Sequence, residues 1–169
     1  MIKIKVSNLT NGRYDYNFEG KANDLDIPEP YVGNFNTNVA LNKFDNQIIL
    51  DAETGILTNL VCDRCARDFQ SVVHSKFRMV YLFRFRNDDS ADEKVDVVYL
   101  HPETDKIELD KDIRDFAILA LPMKKLCTED CKGLCLKCGK NLNDGPCNCV
   151  EEIVDPRWEV LQKLKTKNN

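Results

Sequence analysis

Apolar and polar residues alternate from Ile2 to Val6, and that period predicts a short strand. Asn8 to Gly20 mixes turn formers with aromatics and fits neither a helical nor a strand period. Pro28 and Pro30 mark Asn23 to Pro30 as a loop, because proline interrupts a sheet ladder. Val39 to Leu50 reads as a strand with a bend near Asp45 and Asn46. Gly55 to Val61 reads as a further strand that delivers Cys62. Phe69 to Arg86 follows, so Leu57 to Arg86 is expected to be a strand, a cysteine-bearing turn and a returning strand.

The returning strand divides by parity. Phe77, Met79, Tyr81, Phe83 and Phe85 share one face. Lys76, Arg78, Arg84 and Arg86 share the other, with Val80 and Leu82 between them. A period of two puts the aromatics in the core and the cations outside. The cations are then either the solvated face of a half-buried strand or a basic stripe that contacts RNA phosphate. The aromatics face inward and are not expected to stack on bases.

Asn87 to Lys94 is acidic and polar and reads as an exposed loop. Val95 to Leu100 and Lys106 to Leu109 read as strands. Asp110 is the expected N-cap of a helix that runs through Leu121, with Ile113, Phe116, Ala117 and Ala120 as its apolar stripe. Pro122 stops it. Asp155 and Pro156 read as the cap and first-turn proline of a last helix. Trp158, Leu161 and Leu164 would be its buried stripe, and Lys163 and Lys165 suit its C-terminal end.

The chain has 169 residues, which fits about one ordinary domain. Lys plus Arg is 24 and Asp plus Glu is 28, for a formal charge of −4. That balance excludes a protein that coats nucleic acid by bulk charge, so an RNA contact must be a local patch. The longest apolar run, Ala117 to Leu121, is far short of a membrane helix, which needs about 20 residues. The alternating start lacks the apolar stretch of a signal peptide. These features predict a soluble protein of the cytosol.

The eight cysteines change the picture most. A reducing cytosol disfavours disulfides and leaves thiolates free for metal. Cys135-Leu136-Lys137-Cys138-Gly139 has knuckle spacing, and its glycine can take the positive φ of a turn that aims N–H groups at sulfur. Cys147-Asn148-Cys149 supplies a second pair after the turn-forming insert Lys140 to Pro146. These four cysteines suffice for one closed tetrahedral site. Cys62-Asp63-Arg64-Cys65 is a second knuckle, and Cys127 with Cys131 is its plausible partner pair. An interleaved arrangement, with Cys62 and Cys65 joining Cys135 and Cys138, also satisfies the spacings.

Two zinc ions are therefore expected, held by Cys62, Cys65, Cys127, Cys131, Cys135, Cys138, Cys147 and Cys149. Four sulfurs fill zinc's tetrahedron and leave no position for water, which makes such sites structural. Each would carry net charge −2. Lys124, Lys125, Lys132, Lys137 and Lys140 lie nearby, either to offset that charge or to contact phosphate. Neither His74 nor His101 sits in a catalytic motif, and the chain has no glycine-rich phosphate loop and no Gly-x-Ser-x-Gly elbow. The expectation is a protein that is not an enzyme. Cys62-x-x-Cys65 also has the spacing of a dithiol oxidoreductase, but it lies between strands and not in a βαβ setting.

The run Ala120-Leu121-Pro122-Met123-Lys124-Lys125-Leu126-Cys127-Thr128-Glu129-Asp130-Cys131-Lys132-Gly133-Leu134-Cys135 is distinctive. It continues through Cys138-Gly139-Lys140-Asn141-Leu142-Asn143 to Cys147-Asn148-Cys149. With Cys62-Asp63-Arg64-Cys65 upstream and Asp155-Pro156-Arg157-Trp158 downstream, it resembles the bacterial YceD family over about Leu50 to Leu164. That family is named for accumulation of large-subunit (23S) ribosomal RNA.

The resemblance implies a cytoplasmic, non-enzymatic factor in 23S ribosomal RNA processing or accumulation, hence in large-subunit biogenesis. Its partners would be ribosomal RNA or its precursor, a large-subunit ribosomal protein, or both. It implies an α+β fold, mainly antiparallel β-strands with a C-terminal helix, around a cysteine-rich zinc-knuckle segment. Some family members lack the part corresponding to Cys135–Cys149, so the resemblance supports grouping Cys62 and Cys65 with Cys127 and Cys131. Residues 1–126 are expected to form a mostly β core with the first knuckle and the helix at about 110–121. Residues 127–169 are expected to form a zinc-ribbon-like segment with the terminal helix, integrated with that core. Two other functions compete: a module that docks a protein and affects RNA indirectly, and a thiol redox switch.

Overall fold

The computed structural model describes residues 1–84 and 96–149. Seven strands and one α-helix follow in order: β1 (Lys3–Lys5), β2 (Gly12–Lys21), β3 (Tyr31–Phe44), β4 (Gln47–Val61), β5 (Asp68–Phe83), β6 (Val97–Leu100), β7 (Lys106–Glu108) and α1 (Asp110–Leu119). Short 3₁₀ turns occupy Ala22–Leu25 and Leu142–Asp144. The fold is α+β. Strands β2 to β5 form an antiparallel meander, β6 adds to β5 in parallel, and β1 pairs with β7 in a separate ribbon.

Alternation explains the long strands. Tyr31, Phe35, Thr37, Val39 and Leu41 on β3 are buried, as are Ile48, Leu50, Ala52 and Ile56 on β4. On β5, Phe77, Met79 and Tyr81 are buried, as parity predicts. The ribbon and α1 join these residues in one core through Ile4, Ile107, Leu109, Ile113 and Ala117. Phe116 stacks on Phe77 with centroids 4.5 Å apart, and the Tyr31 hydroxyl donates to the Ala117 carbonyl.

Several sequence expectations change. Asn8 to Gly20 holds nearly all of strand β2, which ends at Lys21, with Tyr14, Tyr16 and Phe18 half-buried on alternate positions. The expected strand at Val39 starts at Tyr31, because Asn34, Asn36 and Asn38 are its solvent-facing positions and hide the alternation. The bend at Asp45 and Asn46 is a hairpin turn between β3 and β4, with Phe44 opposite Gln47. Asp45 takes φ 37°, and Asn11 braces it from both ends of its side-chain amide. Asp110 is not the N-cap of α1. Leu109 holds that position, and the Asp110 carboxylate accepts the Ile2 N–H instead. The helix ends at Leu119 with Ala120 still at helical φ and ψ, short of the expected Leu121, whose place before Pro122 disfavours a further helical residue. The expected loop at Asn87 to Lys94, Phe85, Val95 and the terminal helix at Asp155–Lys165 lie outside the described residues.

Candidate metal centres

Strands β4 and β5 are joined by the tight connection Cys62 to Arg67. The Cys62 N–H donates to the Arg67 carbonyl, and the Ala66 N–H to the Cys62 carbonyl, both at 2.9 Å. Ala66 takes φ 53°, the conformation a knuckle needs after its second cysteine. The connection is then clamped to the segment after α1. The Asp63 N–H donates to the Lys125 carbonyl at 2.8 Å, and the Lys125 N–H returns to the Asp63 carboxylate at 2.6 Å. The Arg64 guanidinium donates to the Cys131 carbonyl at 2.8 Å. The Leu134 N–H donates to the Arg64 carbonyl at 3.0 Å.

These clamps gather Cys62, Cys65, Cys127 and Cys131, whose sulfurs all lie within 4.8 Å of one another. Cys62 and Cys131 are 3.7 Å apart, and so are Cys65 and Cys127. Cys62, Cys65 and Cys131 are buried in a small apolar cluster of their own, lined by Phe69 and Leu126.

The second quartet forms locally. The Cys135 N–H donates to the Lys140 carbonyl at 2.8 Å and the Gly139 N–H to the Cys135 carbonyl at 2.9 Å. Gly139 takes φ 71°, the positive value expected from the knuckle spacing. Asn141 caps the turn Leu142–Asp144 by accepting the Asn143 N–H. That turn brings Cys147 and Cys149 back to Cys135 and Cys138, again with all four sulfurs within 4.8 Å. Cys135 and Cys147 are 3.4 Å apart. Cys138 is exposed and the other three half-buried.

The geometry suits a tetrahedral metal. Bonds of about 2.3 Å from zinc to four sulfurs place those sulfurs about 3.8 Å apart. The separations of 3.4 and 3.7 Å match that edge and far exceed a disulfide bond of about 2.05 Å. All eight cysteines are free. Either quartet could hold a metal ion, and the grouping is the simple one, not the interleaved one.

The electrostatics fit the same chemistry. Burial is the largest single influence on Cys62 and pushes its thiol up. The N–H groups of Cys127, Cys65 and Arg64 together outweigh it and bring the thiol down to about 6. The N–H groups of Cys138 and Lys137 bring Cys135 down to about 6. Burial, then the neighbouring sulfurs, push Cys127 up to about 12. The Cys138 sulfur, then burial, push Cys149 up to about 12. Each quartet thus contains a thiol that ionises readily and one that resists until a cation compensates the crowded charge.

Asn143 escaped the sequence reading. Its side-chain amide donates to Cys131 Sγ at 3.3 Å and is the leading influence lowering the Cys131 thiol. The only hint was its place in an insert rich in turn formers, whose side chains bond nearby backbone.

The cations expected on β5 are placed differently from a free stripe. Register sets Lys76 opposite Glu53 and Arg78 opposite Asp51. Lys76 lies 3.1 Å from the Glu53 carboxylate, and the Arg78 guanidinium donates to Asp51 at 2.6 Å. Arg84 stacks over the Tyr99 ring at 4.0 Å. Arg86 lies outside the described residues. Lys140 donates to the Pro146 carbonyl at 2.8 Å. Among the described residues, no helix is long and apolar enough to cross a membrane.

The family model described as "Large ribosomal RNA subunit accumulation protein YceD" matches residues 50–165. A protein of Arabidopsis thaliana named "Large ribosomal RNA subunit accumulation protein YCED homolog 1, chloroplastic" is 39% identical over 140 residues, covering 69% of this chain and 44% of its own length. An uncharacterised protein of Mycobacterium tuberculosis is 32% identical over 103 residues, covering 61% of this chain and 48% of its own. The chain thus spans about half the length of these curated relatives. No solved structure matches.

Proposed function

The chain belongs to the YceD family, and from that premise we propose that it is a non-catalytic cytoplasmic factor promoting accumulation of large-subunit ribosomal RNA. The family match carries this assignment, because residues 50–165 include all eight cysteines. Each quartet holds one zinc ion. Four soft sulfur ligands in a tetrahedron suit zinc, and they leave no exchangeable position for catalysis. The metals are structural: they fix the tail segment of residues 127–149 against the β4–β5 turn. Large-subunit ribosomal RNA or its precursor is the partner, directly or through a ribosomal protein.

For direct contact, Lys76 and Arg78 on the outer face of β5 meet phosphate, together with Arg84, which follows the strand, and Arg86. Phosphate must then displace Glu53 from Lys76 and Asp51 from Arg78. That pairing favours a second reading, in which the chain docks a large-subunit protein and its effect on RNA is indirect.

Depletion of the protein in its own cell tests the function. Mature large-subunit RNA should fall relative to small-subunit RNA, and the intact chain but not Cys65→Ser should restore it. An unchanged ratio ends the assignment. Metal analysis of untagged protein should find two zinc atoms per chain. Pull-down with and without nuclease separates the two contacts, since a docked protein partner survives digestion.

A further inference from the structure

We propose that Asn143 couples the two quartets: positioned by closure of the second, it donates a side-chain N–H to Cys131 Sγ and strengthens the first quartet's hold on its metal. The inference rests on the metal-binding reading above. Asn143 lies in the turn Leu142–Asp144, between Cys138 and Cys147 in sequence, so it belongs to the second site's own loop. Yet its side chain serves the first site. The Nδ2 group donates to Cys131 Sγ at 3.3 Å, and Oδ1 accepts the Lys132 N–H at 2.8 Å. A backbone N–H can only donate, so the Lys132 contact fixes which end of the amide faces the sulfur. Asn141 Oδ1 holds Asn143 from behind, accepting its backbone N–H at 3.0 Å and its side-chain N–H at 2.8 Å.

The turn is seated on the segment after Cys131 and on the first knuckle by further contacts. The Leu142 N–H donates to the Gly133 carbonyl at 2.9 Å. Asp144 accepts from Arg67, at the end of the first knuckle, at 2.7 Å. When the second quartet opens, nothing covalent holds Asn143 at Cys131. Loss of an outer-shell donor commonly costs about 10–100-fold in metal affinity. Coupling is reciprocal, so a filled first quartet also favours closure of the second. The exposed quartet empties first, and its loss loosens the buried one.

Zinc release from the full, zinc-loaded chain into a colorimetric chelator tests this. Wild type should release in two phases. Asn143→Asp keeps the acceptor for Lys132 but removes the donor to sulfur. It should speed the slow phase about tenfold while the chain still carries two zinc ions. Opening the second quartet with Cys138→Ser and Cys149→Ser should speed release of the remaining zinc to a similar degree. Adding Asn143→Asp to that variant should change little, because both act through one contact. With cobalt in place of zinc, Asn143→Asp should shift the sulfur-to-cobalt charge-transfer band, which a merely structural side chain would leave alone. An unchanged slow phase, or effects that multiply independently, overturns the coupling. A wild-type chain that carries no metal overturns the metal reading itself.

Discussion

The two quartets share one donor set and do different architectural work. The first joins residues as far apart as Cys62 and Cys131, and its sulfurs are mostly buried. The second closes between Cys135 and Cys149 and stays half-exposed. A metal in the first therefore bridges a sheet turn to a distant segment, and a metal in the second folds only its own loop. Neither belongs to the main core, which is built from the sheet, the ribbon and α1, while Cys62, Cys65 and Cys131 pack in a separate cluster. The sheet is thus a platform with its own apolar stability, and the cysteine segment is added by coordination.

Breaking one quartet at a time is the strongest test of that contrast. Cys65→Ser should lower the metal content from two to one and free the whole segment 127–149 from the β4–β5 turn. Limited proteolysis should then cut between residues 127 and 134 and leave the sheet and the loop of the second quartet intact. Cys138→Ser should also remove one metal, but new cleavage should stay within 135–149. Identical cleavage in both variants would erase the distinction. Chelator and acid sharpen it from another side. A chelator reaches the exposed quartet first, so release should be stepwise. Acid acts through the sulfurs themselves. Cys62 and Cys135 are both lowered to about 6, so each favours the ionised, metal-binding state at neutral pH. The stabilisation is present above the ordinary thiol range and is lost as pH falls through about 6. Metal binding should weaken at both quartets as pH falls through that window, as read by zinc affinity across a pH series.

The eight candidate ligands were legible because knuckle spacing is a local property, while spacing left open how the two quartets divide them; the parity of β5 was legible because alternation is local too. Contacts that depend on register were not. Nothing in the order of residues sets Asp51 opposite Arg78 or Glu53 opposite Lys76, yet that pairing decides whether the cations face solvent unpaired. Strand β2 was obscured because its outward positions, such as Asn17, resemble a turn region and its aromatics are only half-buried. Asn143 was hidden for a third reason: its sulfur partner belongs to the other quartet. Spacing announces ligands, whereas groups around the ligands are chosen by folding.

Two glycines give the mildest test of the same contrast. Gly133 takes φ 75° and Gly139 takes φ 71°, so alanine at either pays the left-handed backbone cost of about 1–2 kcal/mol. Their surroundings differ. A Cβ on Gly139 meets nothing within 4 Å, whereas one on Gly133 comes within 3.0 Å of the Arg64 carbonyl oxygen. That oxygen is the acceptor for Leu134 N–H, one of the bonds seating the tail on the first knuckle. Backbone cannot move aside as a flexible side chain would, so Gly133→Ala must also lengthen that bond. Gly133→Ala should destabilise by roughly 1 kcal/mol more than Gly139→Ala, the worth of one strained hydrogen bond. Denaturant melts of the zinc-loaded variants measure the difference. Equal midpoints would mean that the buried junction is no more tightly built than the exposed loop.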